Sequence, residues 1–303
     1  MQRGKWPIIV VFLAPTLVLY GVFVIIPYAG GIAISFTNWA GFSAQFTFVG
    51  IQNYVQMVQD PVWRLALLHN IIMLIVLPLF VLGIALAFAS LLTQGGGSSA
   101  IFRRIRGSQF YRISFFLPYM MPVTIVAILW QFVYNPTFGL LNGFLRLVHL
   151  GVLTRAWLQD PTTALAAVAV VGIWSTVGFY MVLFIAGVQG IPNVMFEAAA
   201  IDGANRLQMF IRVTIPLLWS QLQVAIVYMG IYAFDLFALV QIMSFSQAGP
   251  NNATQVMGFY LYQSAFSYAH FGYASAMGVG IFILSLALSV FTFRFTTRQQ
   301  VEF

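Results

Sequence analysis

The chain has 303 residues, of which 61% are hydrophobic, 17% aromatic and only 6% charged. Soluble domains carry about 25% charged residues, so the six acids and 13 bases here cannot coat a water-soluble globule, and a mean hydropathy of +0.93 agrees. Composition excludes a soluble enzyme and predicts an all-α integral membrane protein. The net charge of +7 does not point to nucleic acid, because the bases stand in small groups between apolar runs, as topology signals do. With no cysteine there is no disulfide framework, thiolate metal site or cysteine nucleophile. His69, His149 and His270 are scattered without acids at ligand spacing, so no metal site is expected.

Six runs are long and apolar enough to cross a hydrocarbon core of about 30 Å as helices. In chain order they are Ile8 to Ile26, Ile71 to Leu92, Phe115 to Val133, Ala164 to Val188, Leu217 to Val240 and Tyr273 to Phe295. The first follows Arg3 and Lys5 as a signal peptide would. Its apolar run exceeds the usual signal core of about 7–15 residues, and no small-x-small site follows, so it reads as an uncleaved anchor. Pro15, Pro78, Pro118 and Pro122 lie inside the runs, where they kink helices. Only the fifth run contains an acid, Asp235.

With the N-terminus inside, Arg3, Lys5, Arg103, Arg104, Arg106, Arg112, Arg206, Arg212, Arg294 and Arg298 are cytoplasmic, and only Arg64, Arg146 and Arg155 are outside. The excess of inside bases predicts that both termini are cytoplasmic. Residues 1–303 then form one transmembrane domain, with outer loops at about 37–70, 134–163 and 241–272. A basic cytoplasmic loop over 93–112 opens on a hinge-like Gly95-Gly96-Gly97-Ser98-Ser99.

The cytoplasmic segment 191–216 carries the chemistry. Asn193 after Pro192 is a candidate helix cap, a helix is expected over Val194 to Asp202, Gly203 supplies a left-handed stop, and a second helix runs from Asn205 to Arg212. By pattern alone this is either an amphipathic helix on lipid headgroups or a docking element. Its spacing resembles the EAA loop of ABC importer permeases: Glu197-Ala198-Ala199, three residues, Gly203, nine residues, then Val213-Thr214-Ile215-Pro216. Val213 and Ile215 depart conservatively from that family's ending.

The resemblance covers nearly the whole chain. Phe12-Leu13-Ala14-Pro15, Ser35-Phe36-Thr37-Asn38-Trp39, Phe115-Phe116-Leu117-Pro118-Tyr119, Asn135 to Asn142 and Ala248-Gly249-Pro250 before Thr254 are similar to the first permease of maltose-type and glycerol-phosphate-type importers. Ala248 replaces a glycine of the family pattern. The resemblance implies a type I ABC importer permease with six transmembrane helices in the cytoplasmic membrane of a bacterium or archaeon. Its implied partners are a second, similar permease, two ATPase subunits and an extracytoplasmic substrate-binding protein. It also implies that Glu197, Ala198, Ala199, Asp202 and Gly203 engage an ATPase cleft, with Glu197 as the principal charged contact. No Gly-rich loop ending in Gly-Lys-Ser/Thr is present, so ATP and magnesium belong to the ATPase subunits and this chain is not itself an enzyme.

Substrate is expected where polar and aromatic groups converge near mid-depth. Gly172, Ser175, Thr176 and Phe179 share one helical face, and Tyr228, Tyr232 and Asp235 share another. The resemblance adds Trp174 to the path. It also places family contact positions at Met229, Ala233 and Leu236, which are apolar here. Asp235 either braces the outer gate or meets a sugar hydroxyl. Apart from Arg294 at the very end of the sixth run, no Lys or Arg lies in any run, which favours a neutral oligosaccharide or disaccharide over glycerol phosphate, with a polyol as a further alternative. A secondary transporter would need internal symmetry or several intramembrane charges, and an intramembrane enzyme a Ser-His or His-acid set; neither pattern is present.

Overall fold

A computed structural model describes residues 5–42, 45–93, 107–245 and 248–296. Gly95 to Ser99, Arg3, Arg103, Arg104, Arg106 and Arg298 therefore lie outside the described residues, as does most of the 93–112 loop. Among the described residues every regular element is helical, apart from one isolated bridge between Thr37 and Phe48. Four helices are long and apolar enough to cross a membrane, or six if each of two sharply bent pairs counts as one crossing.

Helix α1 (Lys5–Tyr20) passes through a π-turn into α2 (Ile26–Ile34), outrunning the expected end at Ile26. After α3 (Gln52–Gln59), α4 (Pro61–Thr93) begins ten residues before the apolar run expected from Ile71. The expected third span is two helices, α5 (Ser108–Met120) and α6 (Val123–Val133), bent by 99°. The bend has a local cause. A residue before proline is driven out of the helical region, and Met121, before Pro122, is extended at φ −77 and ψ 140. Helix α7 (Leu140–Leu147) precedes α8 (Ala164–Gln189), which matches the expected fourth span.

Short helices α9 (Asn193–Ile201), α10 (Arg206–Met209) and α11 (Ile215–Leu217) lead to α12 (Trp219–Phe234) across a 74° bend. The expected fifth span to Val240 does not run through: α12 stops at Phe234, and α13 (Phe237–Met243) starts after Leu236. Helices α14 (Met257–Tyr262) and α15 (Phe271–Thr296) complete the chain, the latter close to the expected sixth span.

The chain divides into two compact units, Met1–Arg64 with Tyr260–Ile283, and Leu65–Phe259 with Leu284–Phe303. In the first, the segment after α2 is a folded structure. Asn53 donates from Nδ2 to the carbonyls of Ser35 and Thr37 at 2.8 Å each, and Gly272 N–H donates to Trp39 O at 2.9 Å. Any Cβ at Gly272 would lie 1.9 Å from Thr37 O, so only glycine permits this approach. Asp60 caps α4 by accepting from the amides of Val62 and Trp63, and its other oxygen accepts from the hydroxyls of Tyr260 at 2.6 Å and Tyr273 at 2.7 Å. Burial alone would raise the Asp60 carboxyl; the four hydrogen bonds outweigh it and hold the group below the ordinary carboxylate range.

In the second unit, α5 and α8 meet at backbone distance, because a Cβ on Gly178 would fall 1.8 Å from Phe115 O. Small residues at a crossing let helices approach this closely without a large hydrophobic driving force. Phe184, Leu77, Met181 and Met229 are fully buried at the centre of this unit. The hydroxyls of Thr93, Thr176 and Ser244 donate to carbonyls four residues back, so they cross the apolar interior already satisfied.

Candidate functional site

The 191–216 segment is built by local rules. Pro192, not Asn193, occupies the N-cap position of α9, and Asn193 is the first helical residue. At the other end Gly203 takes φ +79; its N–H donates to Ala200 O at 3.0 Å and Ala204 N–H donates to Ala199 O at 2.9 Å. This pair of bonds closes the helix with a left-handed glycine. Asn205 then opens α10, accepting from Gln208 N at 2.9 Å while Gln208 Oε1 accepts from Asn205 N at 2.9 Å. The expected second helix, Asn205 to Arg212, is thus one turn of α10 followed by a π-turn over Phe210–Thr214.

With the end of α9 and the start of α10 bonded from within, the loop leaves one face exposed. Glu197, Ala198, Asp202 and Gly203 are exposed and Ala199 is half-buried. Beside the carboxylates, Ile201 is 86% exposed and Val194 and Leu207 65% each. A short helix with Glu197 on it and Asp202 at its end, flanked by bare aliphatic side chains, has the mixed polar and apolar chemistry that a docking surface uses.

The candidate path is partly assembled. Thr176 and Ser175 both donate to Gly172 O, at 2.7 and 3.1 Å, so their oxygens remain available as acceptors. Phe179 stacks on Tyr119 with ring centroids 4.6 Å apart at 24°. The Tyr232 hydroxyl lies against Gly172 of α8, 3.9 Å from where a Cβ there would stand, which brings the α8 and α12 faces together, and Asp235 is an electrostatic neighbour of Tyr232. Tyr228 is 65% exposed on the same side of α12. Met229, Ala233 and Leu236 are buried in the core.

Trp174 is not brought to this face. It packs edge-on against Trp130 at 5.5 Å and, with Val170, Ile173, Val177 and Pro118, lines a separate apolar cavity of about 480 Å³. Two features escaped the sequence reading. Tyr119 supplies the stacking partner of Phe179. Asn70, fully buried, donates to Ala233 O at 2.7 Å and Phe234 O at 3.4 Å and accepts from Met257 N at 2.8 Å. Its neighbour His69 pairs through Nδ1 with Gln255 O at 2.8 Å. A carboxamide bordering an apolar run was the available signal, but the run's hydropathy begins only at Ile71.

Residues 93–300 match the family of binding-protein-dependent transport system inner membrane components. The chain is 42% identical over 267 residues to the diacetylchitobiose uptake system permease protein NgcF of Streptomyces coelicolor, covering 88% of this chain and 75% of that one. It is 31% identical over 305 residues to the sn-glycerol-3-phosphate transport system permease protein UgpA of Brucella abortus, covering 99% of each. A solved bacterial alginate ABC transporter in complex with its alginate pentasaccharide-bound periplasmic protein has a chain of the same fold, with a TM-score of 0.80 at 20% identity over 99% of this chain and 96% of that one. The chain therefore belongs to the binding-protein-dependent inner membrane component family, as a non-catalytic permease subunit of the sugar ABC importers.

Proposed function

We propose that this permease moves a neutral oligosaccharide or disaccharide inward by alternating access, driven through Glu197, Ala198, Ala199, Asp202 and Gly203 by ATPase subunits beneath it. Each bent helix pair counts as one crossing in this reading, which gives six spans with both termini cytoplasmic. The partners are a second permease, two ATPases that bind the ATP and magnesium, and an extracytoplasmic binding protein. Ser175, Thr176, Phe179, Tyr228, Tyr232 and Asp235 line the path, with Trp174 supporting α8 from behind. Hydroxyls and a carboxylate accept from sugar hydroxyls, and an aromatic ring stacks on the apolar face of a pyranose.

One observation carries the substrate class: no Lys or Arg lies within residues 65–93, 113–133, 164–189, 213–240 or 271–293. A phosphate or carboxylate held at mid-depth would want a cation. The likeness to a diacetylchitobiose permease supports the same class. The likeness to a glycerol-phosphate permease over 99% of the chain is the specific reason to test a second reading, a polyol or its phosphate.

The test is uptake by the complete importer in proteoliposomes, offered N,N′-diacetylchitobiose, other neutral disaccharides, polyols and glycerol 3-phosphate with the binding protein present. Uptake of a neutral saccharide is expected. Uptake of glycerol 3-phosphate alone would overturn the substrate class.

A further inference from the structure

We propose that Asp235, at the open end of α12, is a charge filter on the substrate path that admits neutral and amino saccharides and turns away acidic ones. This rests on the reading of the α8 and α12 faces as that path.

The filter follows from how α12 ends. Asp235 has left the helix, at φ −103 and ψ 52. The residues around it, Ala233, Phe234 and Leu236, are buried, whereas Asp235 is exposed, so the chain turns the carboxylate away from its own core. Among the described residues it takes no hydrogen bond and faces no cation. A carboxylate is expelled from hydrocarbon, so its open side is water or polar protein. Tyr232, beside it, sets its hydroxyl against Gly172 of α8, so the carboxylate stands on the α12 side that meets the α8 face.

The helix end adds to the charge. The last carbonyls of a helix carry partial negative charge, which is why cations usually collect there. Here an acid stands at that end, and the carbonyls of Ala233 and Phe234 are met by the neutral amide of Asn70. Both sources of negative potential therefore survive. A uronate, sulfate or phosphate on a sugar is repelled over about a Debye length, ~8 Å. Hydroxyl, acetamido N–H and ammonium groups instead find an acceptor with free lone pairs.

The absence of native cysteine in this chain makes the potential measurable. Tyr228→Cys places one thiol on the same face of α12 as Asp235. The complete importer, its other subunits cleared of accessible cysteines, is reacted in nanodiscs with a cationic trimethylammonium-ethyl and an anionic sulfonatoethyl methanethiosulfonate. The ratio of cationic to anionic rates is expected to fall about three-fold when Asp235→Asn is added. An unchanged ratio, or no reaction with either reagent, would overturn the proposal. Ile231→Cys, one turn before Asp235 and 42% exposed, takes its place if Tyr228→Cys does not assemble. No sugar enters this assay, so it can fail while uptake of a neutral saccharide persists, and uptake can fail while the ratio shifts.

Discussion

The chain interrupts its helices at two polar places and repairs them by opposite means. Between α9 and α10 the repair is local: Gly203 turns left-handed, its own amide and that of Ala204 return to Ala200 and Ala199, and Asn205 and Gln208 cap each other. Between α12 and α13 the repair comes from far along the sequence, with Asn70 of α4 reaching two carbonyls at the break and the amide of Met257 at the start of α14. A locally repaired break owes nothing to the rest of the protein and leaves its surface free for a partner. A remotely repaired break ties three segments together, so its geometry is fixed by the fold and its exposed residue is held in place.

The sharpest way to break this comparison is to remove the remote repair. Asn70→Leu strands two carbonyls and an amide in an interior without water, and the whole importer is expected to lose about 3 kcal/mol of stability, read as thermal unfolding in detergent. Unchanged unfolding would mean that the α12 break does not depend on α4. The local repair is expected to be cheaper to damage. Gly203→Val forces a branched side chain to φ +79 in otherwise open space, a cost of about 1–2 kcal/mol confined to the loop. ATPase stimulation should weaken while the thermal midpoint barely moves.

Asp60 sharpens the contrast further, because its clamp also joins distant segments but depends on charge. Its folded carboxyl is held below the ordinary range, so its contribution is complete above about pH 4 and disappears as pH falls through the lowered folded value. Asp60→Asn should therefore flatten the acid limb of a stability–pH profile and leave its slope near neutrality unchanged. The smallest effect is a gain. Ala248, buried at φ +57, occupies a conformation that glycine adopts freely, and Ala248→Gly should stabilise by up to about 1 kcal/mol, seen as a small rise in the thermal midpoint.

What could be read in the sequence follows the same division. The helix at Glu197 and its glycine stop were legible because each is set by residues within a few positions, while the N-cap shifted from Asn193 to Pro192 and the second helix shortened to one turn before a π-turn. The bend at Pro122 was half-legible: proline marks the place, but whether the chain kinks or turns through 99° depends on what packs around it. The end of α12 carried no local signal, since Tyr-Ala-Phe-Asp-Leu-Phe contains neither Gly nor Pro. There Asn70 meets the carbonyls that the break leaves open, and only the fold brings Asn70 near. For the same reason helical periodicity was sufficient to put Tyr228 and Tyr232 on one side but gave no hint that Trp174 would serve a different cavity.

The central claim is that a rigid, exposed helix carries force from the ATPases to the sugar path. Its most direct test is the ATPase rate of the complete importer with saturating binding protein and transported saccharide, in the native form and with Glu197→Ala. The account predicts that the variant assembles, since Glu197 is exposed and α9 is capped without it, and that saccharide-stimulated hydrolysis falls at least ten-fold. Stimulation equal to that of the native protein would contradict the role assigned to Glu197 and, with it, the coupling path.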